Sequence, residues 1–173
     1  MDYSLLSSCV ADIGSNIPPN RPTGVSCVAF DLYEELLWMG NLSGHLTSYY
    51  SYTLDKYTSF HIDHNNDIRD ILTPVSGVLS LTKDSLRLSK KRGITLFNHK
   101  SELLMRDMQC MTLLPTGLLL MAGHQEKMIE LDIERVKHVR VTDIGDTGCV
   151  VMKQHPKLIC LADPNGKVFN KYI

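Results

Sequence analysis

The sequence predicts an all-β fold of four repeated units, and three observations predict it. The chain aligns with itself in three independent registers. Val25, Ile68, Met108 and Cys149 stand 43, 40 and 41 residues apart, Leu37, Leu79, Leu119 and Ile159 stand 42, 40 and 40 apart, and Leu46, Leu86, Met128 and Val168 stand 40, 42 and 40 apart. Each block also runs through the same order of short apolar segments and turn residues. Finally, the 3.6-residue apolar spacing that a helical repeat of similar period requires is absent.

The elements follow in order within each block. A short apolar strand comes first, at Val25 to Phe30, Ile68 to Leu72, Cys110 to Leu114 and Cys149 to Met152. After a turn comes a nearly continuous apolar run: Leu36 to Met39, Val78 to Leu81, Leu118 to Met121, and Leu158 to Leu161. Such runs suit strands covered on both faces, where strict alternation is not needed. Hairpin turns at Asn41 to Gly44, Lys83 to Ser85, Gly123 to Lys127 and Asp163 to Gly166 then lead into a third strand. A weaker fourth strand is expected at Tyr57 to Ile62, Ile94 to Asn98 and Val136 to Val141, and the fourth block ends at Ile173 before any such strand.

Four short antiparallel strands in this period match the blade of a WD40-type β-propeller. A single blade has two apolar faces and hides neither alone, so blades stack around an axis. The blades fall at about 22–62, 65–99, 105–141 and 146–173, behind a loose leader over 1–21 in which Leu5 to Val10 can supply a strand. Four blades make an incomplete ring, expected to be part of a longer propeller. No Gly-His opens a blade and no Trp-Asp closes one, so the period carries the assignment; Leu96-Phe97-Asn98 is the nearest relic of the signature.

Composition narrows the function. The 173 residues are 43% hydrophobic and carry 18 basic against 19 acidic side chains, a net charge of -1. That balance excludes a general attraction to nucleic acid or anionic lipid and leaves only a local patch. Met1 to Val10 lacks the basic start of a secretion signal, and no apolar run approaches the length of a helical membrane span. Five cysteines, Cys9, Cys27, Cys110, Cys149 and Cys160, are scattered without paired spacing, which reads as reduced thiols in the cytoplasm or nucleus. Asn41-Leu42-Ser43 reads as a polar turn.

No constellation carries catalysis. His61 and His64 have ligand-like spacing around Asp63, but no second Cys or His pair completes a zinc set, and a solvated connector is the expectation. Cys27, Cys110 and Cys149 on first strands read as small apolar residues near the axis. Asp31, Glu34, Glu35, Asp143 and Asp146 are dispersed and read as turn formers, not as the converging acids of a two-metal nuclease. Gly117 and Gly123 belong to strand and turn, not to a phosphate loop. One basic group stands out: Lys83, Arg87, Lys90, Lys91 and Arg92, with Arg69, could form a rim for RNA phosphates or an acidic partner, or a solvated blade edge that discourages strand pairing. Tyr49, Tyr50, Tyr52, Tyr57 and Phe60 offer either a docking surface or filling between blades.

At block one the wording resembles a known family. Phe30 to Gly40, Ser43 to Tyr50 and Tyr57-Thr58-Ser59-Phe60 are similar to the N-terminal propeller of the catalytic subunit of the poly(A)-nuclease (PAN) deadenylation complex. The similarity continues through Asp67-Ile68-Arg69, Gly77 to Lys83, Arg92 to Phe97, Glu130-Leu131-Asp132 and Asn165 to Val168. The resemblance implies a much longer enzyme of mRNA poly(A)-tail shortening and mRNA decay. In it the propeller precedes a linker, an inactive ubiquitin-hydrolase-like domain and an exoribonuclease domain of the acidic DEDD type. It implies a pseudokinase-like regulatory subunit as partner and an indirect link to mRNA coated by poly(A)-binding protein. No membrane association is expected; the place of action is the cytoplasm with its P-bodies, or the nucleus. No cofactor is expected in this chain, because magnesium belongs to the nuclease domain, whose acidic motifs have no counterpart here. The chain then reads as a scaffold that is not itself an enzyme; the alternative is a self-contained propeller-like adaptor unrelated to RNA decay.

Overall fold

The computed structural model describes residues 24–100, 105–145, 148–155 and 157–172. The leader over 1–21, the strand expected at Leu5 to Val10, and residues Cys9 and Asp146 lie outside them. Four antiparallel sheets follow one another along the chain, each in simple up-and-down order. The first contains β1 (Val25–Phe30), β2 (Leu36–Asn41), β3 (His45–Tyr50) and β4 (Lys56–His61). The second contains β5 (Asp70–Leu72), β6 (Val78–Leu81), β7 (Ser85–Ser89) and β8 (Thr95–Lys100). The third contains β9 (Met108–Leu113), β10 (Leu118–Gly123), β11 (Lys127–Asp132) and β12 (Lys137–Asp143). The fourth has three strands, β13 (Val151–His155), β14 (Leu158–Ala162) and β15 (Val168–Tyr172).

Local chemistry sets the hairpins. The Asn41 side-chain carbonyl accepts the N–H of Ser43 at 3.1 Å and of His45 at 2.8 Å, which closes the β2–β3 turn. Asp163 repeats the device in the fourth sheet, with Asn165 N–H at 2.9 Å and Lys167 N–H at 2.8 Å. These are the Asx turns that Asn and Asp favour. Gly44 holds φ +76° there, and a Cβ would lie 1.8 Å from the Asp63 carbonyl oxygen, so only glycine fits.

The sheets stack through their first strands: β1 packs on β5, β5 on β9, and β9 on β13. A backbone hydrogen bond recurs at every joint. Ile68 N–H donates to Asn41 at 3.1 Å, Met108 N–H to Lys83 at 2.9 Å and Cys149 N–H to Gly123 at 2.7 Å. Three apolar cores fill the joints: Trp38, Leu46 and Ile71 between the first two sheets, Leu79, Leu86, Met111 and Met121 between the middle pair, and Leu120, Met128, Met152 and Ile159 between the last two. Among the described residues no strand of the first sheet packs comparably on a strand of the fourth. The molecule is therefore an open arc of propeller blades, as the repeat predicted.

The first strands of three blocks start elsewhere than the sequence reading has them, β9 at Met108 and not at Cys110 among them. The first strand of block two starts at Asp70, not at Ile68, and that of block four at Val151, so Cys149 precedes its strand. The Ile68 and Cys149 amides go to the joints and their ladders begin two residues later, whereas in the third sheet Met108 makes the same joint bond and still opens β9, across a register shift opposite Gly123. Coverage of the second strands also differs along the arc. β6 and β10 are buried on both faces, whereas β2 and β14 alternate, because each end sheet has a neighbour on one side only.

Gly123 tests the tightness of a joint. A Cβ there would stand 2.0 Å from the Asp107 carbonyl oxygen and 2.7 Å from the Met108 Cα. Both obstacles are backbone and cannot swing aside. Gly123→Ala is expected to destabilise by roughly 1–3 kcal/mol, read as a lower denaturation midpoint in urea; an unchanged midpoint contradicts the joint geometry.

Candidate functional site

The arc presents two ends, one formed by the β2–β3, β6–β7, β10–β11 and β14–β15 turns and one by the opposite set. The six basic residues do not form one cluster. Arg69 and Lys83 sit at the first end, Lys90, Lys91 and Arg92 at the other, in the β7–β8 turn, and Arg87 lies within β7 between them. Three of the six work inside the fold. The Arg69 guanidinium donates to the Met108 carbonyl at 2.9 Å and pairs with Asp67 and Asp107. Arg87 donates to the carbonyls of His61 and Ile62, both at 3.1 Å, and to the Thr95 hydroxyl. Lys91 pairs with Asp31 and Glu34, both at 2.9 Å. Lys83, Lys90 and Arg92 remain exposed. Lys83 stands with Lys100, Arg106 and Asp84 around an open recess of about 510 Å³, so the structure adds two cations to this end that sequence spacing did not reveal.

Asp31 is the electrostatic centre of the joint between the first two sheets. Its carboxylate, with no exposed side-chain surface, accepts the N–H groups of Tyr33 (2.9 Å) and Glu34 (3.0 Å), the Trp38 indole N–H (3.1 Å) and the Lys91 ammonium. Burial pushes its carboxyl up, but these four donors together outweigh burial and hold it below the usual value. Asp70 shows the opposite balance. It accepts Met111 N–H from the third sheet at 2.7 Å and Ile71 N–H at 2.9 Å, yet burial dominates and raises its carboxyl.

The signs predict divergent pH behaviour. A depressed carboxyl contributes stability above its unfolded value that is lost as pH falls through the folded value, while a raised one subtracts stability as pH rises through the unfolded value. From pH 3 to 6, Asp31→Asn should lose stability relative to the parent and Asp70→Asn should gain it. Melting curves across that range check this; parallel profiles for the two variants contradict it.

At the second end, between the second and third sheets, lies an open apolar groove of about 620 Å³ lined by Tyr33, Pro74, Val75, Leu96, Phe97, Leu113, Ile133 and Val136, with Glu134 as its acid. Sequence reading missed it because its residues come from three turns and from strands of two sheets; exposed Tyr33, Val75 and Leu96 are the local signal. The aromatic group divides. Tyr49 is buried, Phe60 meets Trp38 edge-on at 6.3 Å, Tyr50 meets Tyr57 edge-on at 5.5 Å, and Tyr52 is exposed. Packing therefore claims Tyr49 and Phe60, and only Tyr52 and part of Tyr50 face solvent.

The histidines are not in a plain solvated connector. His61 ends β4, and its ring lies 3.8 Å from that of His45 and 4.5 Å from that of His64. Burial, then His61, Lys56 and His64, lowers the His45 pKa, so it stays neutral more readily. Across the second and third sheets, His99 and His138 bring their Nε2 atoms to 2.9 Å, and burial followed by His99 lowers the His138 pKa.

The thiols pack as small apolar groups. Burial pushes Cys27 up to about 12. Cys110 and Cys149 lie 3.7 Å apart at the joint of the last two sheets, and their mutual hydrogen bond, with burial, pushes Cys110 up. The same contact lowers the Cys149 thiol, which is buried in the joint and bonded to Cys110 and to backbone, not to a His or acid that could act as a base. Asp132-Ile133-Glu134 has the Asp-x-Glu spacing of a two-metal nuclease, but Asp132 accepts the N–H groups of Glu134 and Arg135 at 3.0 Å and shapes the β11–β12 turn. Among the described residues no group of three or more His, Cys, Asp or Glu side chains could hold a metal ion, and no helix is long and apolar enough to cross a membrane.

Stacked antiparallel sheets of this period define a WD40-type β-propeller arc. A family model described as PAN2 N-terminal matches residues 1–172, and the chain belongs to that family. It is 34% identical over 166 residues to the PAN2-PAN3 deadenylation complex catalytic subunit PAN2 of Gallus gallus, covering 96% of this chain and 13% of the relative. The match thus spans an N-terminal region, and the nuclease domain that the resemblance implied is not part of this chain. The solved Neurospora crassa Pan2 WD40 domain superposes with a TM-score of 0.78 at 27% identity, over 87% of this chain and 46% of that one. The computationally designed Ika4 protein shares the fold alone, with a TM-score of 0.71 at 12% identity, over 87% of this chain and 91% of that one.

Proposed function

We propose that the chain acts in poly(A)-tail shortening and mRNA decay as a non-catalytic propeller scaffold, positioning a deadenylase against its regulatory subunit and the poly(A) ribonucleoprotein. The family match across residues 1–172 carries this reading, and the propeller arc gives it a physical form: rigid sheets presenting loops at two ends. The partner is the PAN3-type regulatory subunit named with the catalytic subunit in its relatives; contact with mRNA coated by poly(A)-binding protein is indirect. The place of action is the cytoplasm with its P-bodies, or the nucleus. No cofactor is assigned to this chain; the divalent metal belongs to the nuclease domain.

Among the basic residues, exposed Lys83, Lys90 and Arg92 are the ones placed to meet phosphates or an acidic partner, while Arg69, Arg87 and Lys91 hold the sheets in position. The test is capture of the purified regulatory subunit on immobilised chain, followed by calorimetry. Retention that weakens in Lys83→Glu or in Lys90→Glu/Arg92→Glu supports the scaffold and its rim. Absence of retention at tens of micromolar overturns it.

A further inference from the structure

We infer that Cys110 and Cys149 form a redox-modification site, which a peroxide converts into a disulfide stapling the third sheet to the fourth. The joint that holds them lies inside the arc, and the inference does not rest on the role in deadenylation.

The repeat itself brings the two sulfurs together. At the first joint, Cys27 stands two residues after the repeat position held by Val25 and lies against Ile68, which holds that position in the next sheet. The Cys27 Sγ is 3.5 Å from the Ile68 carbonyl oxygen. The last joint reproduces this contact. Cys110 stands two residues after Met108, and its Sγ is 3.9 Å from the carbonyl oxygen of Cys149. The middle joint has Asp70 and Met108 at the same two positions, so only the last joint carries cysteine at both. There the sulfurs meet at 3.7 Å. Backbone fixes both residues: Cys110 pairs with Ala122 in the ladder, and the Cys149 amide donates to Gly123, the next residue along, at 2.7 Å. A disulfide holds its sulfurs at about 2.0 Å, so closure by about 1.7 Å is shared between rotations about the two Cα–Cβ bonds. Of the other described thiols, Cys27 faces Ile68 and Cys160 faces the Asn170 side chain.

The contact also gives the two thiols different roles. The bond from Cys110 lowers the Cys149 thiol, while that bond and burial raise Cys110. Cys149 therefore supplies the thiolate, the form that reacts with peroxide. Its sulfur attacks one peroxide oxygen and the O–O bond breaks, leaving a sulfenic acid on Cys149 and a hydroxide that takes up the proton the thiol gave. The Cys110 sulfur then attacks the Cys149 sulfur, the S–O bond breaks, and water leaves with the Cys110 proton. Two thiols are oxidised by two electrons and one peroxide is reduced to two waters. Both side chains are buried, so the oxidant has to be as small as peroxide itself.

The test is to treat the reduced, purified chain with excess hydrogen peroxide, block remaining thiols with N-ethylmaleimide in denaturant, and digest without reductant. A chain lighter by two hydrogens before blocking is expected, with one cross-linked peptide pair containing Cys110 and Cys149, returned to free thiols by dithiothreitol. The oxidised chain should melt roughly 4–16 °C higher than the reduced one, as a cross-link closing a loop of this length implies. Cys110→Ser should lose the cross-link and the shift and leave on Cys149 a sulfenic acid that dimedone traps; Cys27→Ser and Cys160→Ser should keep both. The peptide mapping is made on the parent chain, so it decides the matter even where Cys110→Ser does not fold. Peroxide that modifies Cys160 while Cys110 and Cys149 stay unlinked overturns the proposal, as does a cross-link through any other pair. A Cys110–Cys149 cross-link that leaves the melting midpoint unchanged overturns the staple.

Discussion

Asp31→Ala is expected to cost roughly 3–5 kcal/mol, the range for removing one partner of a buried ion pair. At about 2–4 °C per kcal/mol for a chain of this size, the melting midpoint should fall by roughly 6–20 °C. The carboxylate has no exposed surface and four donors converge on it. Removing it strands the Trp38 indole N–H and two turn amides, and leaves half-covered Lys91 with Glu34 alone. Because Lys91 comes from the β7–β8 turn and Asp31 from the β1–β2 turn, the loss is felt at the joint between sheets. Lys91→Met should cost less, since Asp31 keeps three donors. A midpoint within 2 °C of the parent for Asp31→Ala, by thermal melting at pH 7, contradicts this account of the joint.

Trp38→Ala should have an effect of similar size, roughly 3–5 kcal/mol. The ring is fully buried, meets Phe60 edge-on and fills the first joint beside Leu46 and Ile68. The cavity has rigid walls, because the sheets are pinned by Ile68 on Asn41 and Leu32 on Thr73. The two substitutions share the bond from indole to carboxylate, so their costs should not add. A double variant that loses the full sum of the single costs places Asp31 and Trp38 in separate networks and contradicts the geometry.

The repeat was legible because its period and turn residues survive even though its signature dipeptides do not. Three registers located all four sheets, and the Asn41 and Asp163 turns announced themselves through residues that close their own loops. The starts of β5 and β13 were not legible, since whether an amide joins a ladder or a neighbouring sheet depends on where that sheet lies. The basic group misled for a related reason. Lys83 and Lys90 are close in the sequence, but a strand between them carries them to opposite ends of the blade. Arg69, Arg87 and Lys91 look like surface charge in a string of letters, yet each has its donors committed to a neighbouring element. The apolar groove escaped notice because its walls are drawn from turns of three sheets, and no local pattern joins Val75 to Val136.

The central claim is that this chain holds and positions without itself degrading RNA. Its most direct test is incubation of the purified chain with a labelled poly(A) RNA in magnesium, with fragment lengths read at single-nucleotide resolution. The account predicts an unchanged length distribution over hours. Progressive shortening from the 3′ end, persisting through repeated purification, would contradict it.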